Sequence, residues 1–173
     1  NELEKLRHSA AHVLEAAVKE LFPKARLAIG PPIENGFYYD FDFRPFTPEE
    51  LNKIEKRALE IIKKDQQFKK SKKTRAEAKK LLKDEPYKLE LLKDLKEGEI
   101  TFYQNGDFID LCKGPHINST KEIKSFKILK TAGAYWRGDS KNKQLQRIYG
   151  TAFPSEKELR KYLHNLEEAE KRN

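Results

Sequence analysis

Three of the four histidines and the single cysteine fall into two pairs with the same spacing. His8 and His12 are four residues apart, and so are Cys112 and His116. Histidine nitrogens and a cysteine sulfur are common tetrahedral zinc ligands, so zinc bound by all four side chains is one interpretation. The same groups could form a metal-free hydrolytic site, with a histidine as base and the cysteine as a polarising group or nucleophile. Spacing alone does not choose between these two kinds of site.

The first pair lies on a helix predicted over residues 2–21, where apolar side chains recur with the helical period until Pro23. Positions four apart lie one above the other on a helix, so His8 and His12 converge. At about 100° per residue they lie roughly opposite the centre of the apolar stripe. This position argues against two core histidines. It leaves two exposed surface histidines as the alternative to a functional site.

The second pair follows a predicted hairpin, in which residues 99–104 and 107–112 pair across the turn Asn105-Gly106. This turn would place Gln104 opposite Asp107. One face of the hairpin is then apolar and is formed by Ile100, Phe102, Ile109 and Leu111.

Asp110 and Cys112 lie two residues apart, so both point from the other, less apolar face of the hairpin. Gly114-Pro115 turns the chain, which lets His116 fold back beside Cys112. The alternative for Cys112 is a small buried hydrophobic residue. The presence of Asp110 and His116 on the same face favours a functional site.

The remaining elements alternate helices with antiparallel hairpins, without a regular βαβ repeat. This order predicts an α+β fold made of antiparallel β-hairpins packed with helices. The predicted strands cover residues 26–33, 37–43, 67–72, 126–137 and 144–153. The further helices cover 48–64, 74–83 and 156–173, and residues 86–95 are a short helical or irregular stretch.

Composition limits the class of protein. The 173 residues carry a net charge of +8, and 37% are hydrophobic, which is enough for one core. No stretch approaches the roughly 20 apolar residues of a membrane span, and the N-terminus does not resemble a signal peptide. The single cysteine excludes an internal disulfide. We therefore expect a cytoplasmic protein without a membrane partner.

Basic residues concentrate between Lys63 and Lys83, where ten Lys and Arg stand against two acidic residues. Such a run can neutralise phosphates and so permits a nucleic-acid partner, although a solvated helix face is the alternative. The chain contains no Met and ends on a charged helical run without a Gly or Pro stop. We expect a domain excised from a longer protein.

Five segments together resemble the editing domain of bacterial-type threonyl-tRNA synthetases. They are residues 8–14 (HSAAHVL), 28–40 (AIGPPIENGFYYD), 110–116 (DLCKGPH), 130–140 (KTAGAYWRGDS) and 145–153 (LQRIYGTAF). The histidine and cysteine pairs also occur in alanyl-tRNA synthetase editing domains and their free-standing relatives. The block over 130–153 is more specific to the threonyl family.

The resemblance implies a two-lobed editing domain over residues 1–153 and, over 154–173, a linker helix toward a catalytic domain. It also implies hydrolysis of serine mischarged on tRNA(Thr), with the tRNA acceptor end and the parent synthetase as partners. One missing methyl group allows a synthetic site only about 1–3 kcal/mol of discrimination, so a second, smaller pocket removes the error.

Carried over by position, the resemblance assigns four residues to the reaction and three to substrate binding. Lys88, which spacing alone would not single out, matches a lysine tied to hydrolysis. The catalytic set is His8, Lys88, Cys112 and His116, and the binding set is His12, Tyr39 and Asp110. Tyr39 also shares a strand face with phenylalanines, so a core role is its alternative.

The mechanism that follows is attack of a water, bound between Lys88 and His8, on the seryl ester carbonyl. A partly desolvated lysine can have a lowered pKa and share protons. Cys112 and His116 would polarise the carbonyl or hold a second water, and Asp110 would hold the α-amino group. A covalent Cys112 intermediate is disfavoured because the ester is already activated.

The threonyl family is regarded as working without metal, so we predict no cofactor, with the four-residue zinc set as the alternative. Two rival functions are a non-catalytic tRNA-binding module and a free-standing trans-editing deacylase.

Overall fold

The computed structural model describes residues 1–173 and shows an α+β architecture, which confirms the predicted class. The helices are α1 (Glu2–Leu21), α2 (Pro48–Lys63), α3 (Arg75–Leu81), α4 (Pro86–Lys93) and α5 (Glu156–Lys171). The strands are β1 (Arg26–Leu27), β2 (Pro32–Ile33), β3 (Gly36–Asp42), β4 (Lys69–Lys72), β5 (Thr101–Asn105), β6 (Phe108–Leu111), β7 (Lys127–Tyr135) and β8 (Gln144–Thr151).

A five-stranded antiparallel sheet forms the larger lobe, in the order β1-β3-β8-β7, with β2 also paired to β3. Its inner face carries the alternate aromatic residues of β3, and Phe37, Tyr39 and Phe41 are all buried. They pack in one hydrophobic cluster with residues of α1 and α2. The period-two pattern of this strand therefore predicts its buried face correctly.

The smaller lobe is a three-stranded antiparallel sheet in the order β4-β5-β6, covered by α3 and α4. Its core consists of Ala78, Leu82, Leu92, Ile100 and Phe102. The edge strand β4 is rich in lysine, which discourages pairing with a further strand. A capping box at Thr74 and Glu77 starts α3, as the sequence predicts.

Helix α1 is buried around most of its circumference, because it contacts β2, β3 and β8 of the large sheet as well as α2. Only 2% of His12 is exposed, and His8 is partly buried. The interpretation of the two as exposed surface histidines is therefore wrong. A single apolar stripe underestimates the burial of a helix that has neighbours on several sides.

Two strand predictions need correction. The segment 26–33 forms two short strands instead of one, because Pro31 and Pro32 have no N–H to donate to the ladder. Gly30, just before them, passes so close to Tyr39 that an added Cβ would lie 2.1 Å from its ring. In the β5–β6 hairpin, Gln104 pairs with Ile109 instead of Asp107.

The hairpin shift has a local cause. Asn105 is buried and donates from Nδ2 to Gln66 Oε1 at 2.7 Å, so it stays in β5, and Gly106-Asp107 form the turn. Gly106 adopts a φ of 57°, which suits the first position of a type II′ turn. The shift of two residues preserves the side-chain alternation, so the predicted apolar face is correct.

The basic run over Lys63–Lys83 covers the end of α2, strand β4 and helix α3. All of its lysines except Lys73 are exposed. None of the helices combines the length and the apolar composition that crossing a membrane requires.

Candidate active site

All seven predicted site residues line one cleft of about 520 Å³. The cleft lies where α1, the β1–β3 region, α4 and strand β6 meet. The size is typical of a small-molecule pocket. The residues that the structure brings together here are His8, His12, Tyr39, Lys88, Asp110, Cys112 and His116.

The protonation of His8 follows from its neighbours. Nδ1 lies 3.3 Å from the carbonyl oxygen of Pro115, which can only accept, so Nδ1 carries the proton. Nε2 is therefore a free lone pair. Burial lowers the pKa of His8 below its ordinary value, and the positive charge of Lys88 adds to this effect. His8 is thus a neutral imidazole at pH 7, with the form that a general base requires.

His116 is fixed in the same tautomer by Ser9. The Ser9 hydroxyl donates to the carbonyl oxygen of Lys5 at 2.8 Å, so it accepts from Nδ1 of His116 at 2.9 Å and from the backbone N–H of Ile117 at 3.0 Å. Nε2 of His116 is consequently also a lone pair. Burial and the two neighbouring histidines lower the pKa of His116 to about 2.

Both lone pairs point at Cys112. Its Sγ lies 3.5 Å from Nε2 of His8 and 3.2 Å from Nε2 of His116. Burial raises the pKa of the Cys112 thiol to about 12, so it is protonated at pH 7. A thiol has one hydrogen and can satisfy only one of the two nitrogens. The cluster therefore has an unused acceptor for a water or a substrate hydroxyl.

The same geometry bears on the zinc alternative. The donor atoms of His8, Cys112 and His116 lie within 4.8 Å of one another, and the two sulfur–nitrogen distances are close to those of a tetrahedral zinc site. These three residues fit a metal with an open fourth position. His12 is not part of this group: its Nδ1 lies 3.7 Å from Glu15 Oε2. The alternative of a four-residue zinc set is thus represented by three of its four residues, and His12 stands apart from them.

Lys88 and Asp110 form a buried ion pair, with Nζ 2.9 Å from Oδ2. Burial alone would lower the pKa of Lys88, but the carboxylates of Asp110 and Glu15 outweigh it and raise that pKa. The expectation of a lowered Lys88 pKa is therefore wrong. Lys88 is a permanent ammonium that can donate hydrogen bonds and stabilise negative charge, and it cannot take a proton from water.

His12 and Tyr39 lie deeper in the cleft wall. Burial lowers the pKa of His12 to about 4, so its ring is neutral. The hydroxyl of Tyr39 donates to the carbonyl oxygen of Ala28 at 3.2 Å, and its ring lies 5.5 Å from the Lys88 ammonium. Tyr39 also belongs to the main hydrophobic cluster, so it is both a core aromatic and part of the cleft wall.

Three residues that shape the site are missing from the set predicted from the sequence: Glu15 and Gly30, which line the cleft, and Ser9, which contacts His116. Ser9 orients His116, and Gly30 gives room to the Tyr39 ring. Glu15 is 3% exposed and lies between His12 and Lys88. The sequence pattern does point to Glu15, because positions 8, 12 and 15 share one face of the predicted helix.

Residues 100–149 match the family model described as "Threonyl and Alanyl tRNA synthetase second additional domain". A threonine–tRNA ligase of Clostridium perfringens is 58% identical over 168 residues, which are 96% of this chain and 26% of the ligase.

Other threonine–tRNA ligases give similar matches. That of Clostridium novyi is 58% identical over 172 residues and that of Marinobacter nauticus 55% identical over 172 residues, each match covering 97% of this chain and 27% of the ligase. The chain thus spans about a quarter of the length of these curated relatives. These matches confirm that the chain is similar to the editing domain of bacterial threonyl-tRNA synthetases.

Proposed function

We propose that this chain hydrolyses the ester bond of seryl-tRNA(Thr), as the editing domain of a threonyl-tRNA synthetase in the cytoplasm. Similarity to threonine–tRNA ligases supports aminoacyl-tRNA editing in general. The observation that carries the hydrolytic part is His8, a neutral imidazole whose Nε2 lone pair is free beside the buried Lys88 ammonium in one cleft.

In this mechanism His8 takes a proton from a water that attacks the ester carbonyl carbon. The ammonium of Lys88 stabilises the negative charge that develops on the carbonyl oxygen. The proton then passes from His8 to the 3′ oxygen of the adenosine, which leaves as a hydroxyl. These steps form one C–O bond and break another, and they return His8 to its neutral state.

Cys112 and His116 act without covalent catalysis. A thiol with a pKa of about 12 is a poor nucleophile at pH 7, which supports water as the attacking group. The thiol donates to Nε2 of His116, the nearer of the two histidine nitrogens at 3.2 Å, which leaves Nε2 of His8 free, and the Cys112–His116 pair holds a second water beside the substrate carbonyl. Asp110 holds the α-amino group, and His12 and Tyr39 line the pocket around the serine.

A metal could take part through the same cluster. Zinc held by His8, Cys112 and His116 would supply a Lewis acid in the cleft. We propose hydrolysis by water without metal. Elemental analysis of the purified chain tests this, since one equivalent of zinc per chain would contradict it.

The proposed partner is the 3′ acceptor end of tRNA. The exposed lysines over Lys63–Lys83 offer positive charge to its phosphates. The cleft is larger than an amino acid, which supports entry of the terminal nucleotide together with the serine. We further propose that residues 1–153 form the editing domain and that 154–173 lead to a catalytic domain. In α5 only Leu159 is buried.

Deacylation of seryl- and threonyl-tRNA(Thr) by the purified chain tests the function. We expect hydrolysis of seryl-tRNA and little hydrolysis of threonyl-tRNA. Equal hydrolysis of both would contradict the selectivity. Binding of the acceptor end without turnover of either would support the RNA-binding module, and full activity of a native protein of this length would support the trans-editing enzyme.

A further inference from the structure

Glu15 is a buried carboxyl group for which the proposed mechanism has no role. It lies on α1, lines the cleft and is 3% exposed. Its Oε1 is fully buried and has no hydrogen-bond partner. The nearest cation, Nζ of Lys88, is 3.9 Å from Oε1, which is too far for a hydrogen bond. A buried carboxyl oxygen without a donor commonly marks a place for a ligand or water.

The groups around Glu15 come from four elements. Lys88 approaches from α4, Asp110 from β6 and Tyr39 from β3, while His12 lies on α1 itself. Lys88 and Asp110 already neutralise each other at 2.9 Å. Burial and the negative charge of Asp110 raise the pKa of Glu15 well above its ordinary value. The empty cleft therefore contains one cation and two carboxyl groups, one of which stays protonated.

A second cation would complete this arrangement. The aminoacyl group of a charged tRNA carries an α-ammonium. Asp110 is already paired with Lys88, so it is not a sufficient partner for this group by itself. When that ammonium enters, ionisation of Glu15 keeps the site without net charge, with two ammonium groups and two carboxylates, whereas a protonated Glu15 would leave one buried charge uncompensated, which is costly. We propose that Glu15 binds the substrate's α-ammonium together with Asp110 and so makes the cleft specific for aminoacyl esters. This inference rests on the proposed function.

The test uses two non-hydrolysable ligands that differ in one group. One is adenosine with serine joined to the 3′ position through an amide, and the other carries a hydroxyl in place of the α-amino group. We expect the unaltered chain to bind the amino ligand more tightly. Glu15→Gln should weaken that binding by about 10- to 100-fold and leave binding of the hydroxy ligand unchanged. The exposed Glu49→Gln, with the same chemical change outside the cleft, should affect neither ligand.

Calorimetric titration gives both affinities, and thermal melting shows whether each variant is folded. An equal loss of affinity for both ligands in a folded Glu15→Gln variant, or no loss of affinity for either, would overturn the proposal. Steady-state deacylation adds a second readout, because loss of ammonium binding should raise KM more than it lowers kcat.

A structure of the unaltered chain with the amino ligand keeps the test independent of variant folding. We expect the ligand nitrogen within about 3.2 Å of Glu15 Oε1. A nitrogen that contacts Asp110 alone would overturn the role of Glu15. Failure of the unaltered chain to bind either ligand or hydrolyse seryl-tRNA would instead contradict the proposed function, so the two failures are distinguishable.

Discussion

Replacing Asp110 by asparagine removes the negative charge nearest to Lys88 and keeps the shape of the side chain. Both side chains are almost completely buried, with 2% and 6% exposed, and their charged atoms lie 2.9 Å apart. Breaking a buried ion pair commonly destabilises a protein by about 3–5 kcal/mol, because one charge is left without a partner. Once the negative charge of Asp110 is removed, Glu15 can ionise and offers Lys88 a carboxylate at 3.9 Å, which limits the loss.

The two distances set the size of the effect. With an effective dielectric constant of about 20, the attraction is about 5.7 kcal/mol at 2.9 Å and about 4.3 kcal/mol at 3.9 Å. Transfer of the ammonium from Asp110 to Glu15 therefore costs about 1.4 kcal/mol of attraction. The lost hydrogen bond to a charged group adds about 1.5–3 kcal/mol. We expect Asp110→Asn to lower the free energy of unfolding by about 3–4 kcal/mol.

Urea denaturation measures this change, with the exposed Asp84→Asn as a matched control that should have almost no effect. The double variant Asp110→Asn with Glu15→Gln leaves Lys88 without any carboxylate, so its loss should exceed the sum of the two single losses. If Asp110→Asn lowers the free energy of unfolding by less than about 1 kcal/mol, or if the losses of the two single variants simply add, the ion pair does not have the proposed role.

Four further predictions follow from the cleft. Because the pKa of His8 is lowered, the deacylation rate should rise with pH only below about 6.5 and be level at pH 7, which a pH–rate profile checks. The pKa values of His12 and His116 are about 4 and about 2 in the folded chain, so between pH 4 and about 6.5 the unfolded chain binds more protons at both residues; urea titrations should show these two histidines lowering the stability by about 2.7 kcal/mol per pH unit as the pH drops through this range. Cys112→Ala should keep deacylation within about tenfold, and mass spectrometry should find no seryl adduct on the unaltered chain. Gly30→Ala places a Cβ 2.1 Å from the Tyr39 ring and should lower the free energy of unfolding by about 1–3 kcal/mol, again by urea denaturation.

Local patterns were enough to predict most of the fold. The period of α1, the alternation of aromatic residues in β3 and the capping boxes of α2 and α3 each depend on a few neighbouring residues. The resemblance brought together residues as far apart as His8 and Cys112, whose side chains meet at 3.5 Å. Their spacing in the sequence carries no such information.

Other features depend on contacts that span the chain. The turn position of the β5–β6 hairpin is set by the burial of Asn105 against Gln66, which lies 39 residues away. The raised pKa of Lys88 needs Asp110 and Glu15, which reach it from two other elements. No local pattern reports the balance between burial and opposite charge. The family resemblance could therefore identify Lys88 as a site residue, but it could not give the protonation state of Lys88.

The central claim is that His8 is the base of a water-mediated hydrolysis. Single-turnover deacylation of seryl-tRNA(Thr) by the unaltered chain and by His8→Ala tests it most directly. The matched control is His164→Ala, since His164 is exposed on α5, outside the cleft. We predict a loss of about 10²- to 10⁴-fold for His8→Ala and no change for His164→Ala. Undiminished hydrolysis by His8→Ala would contradict the account.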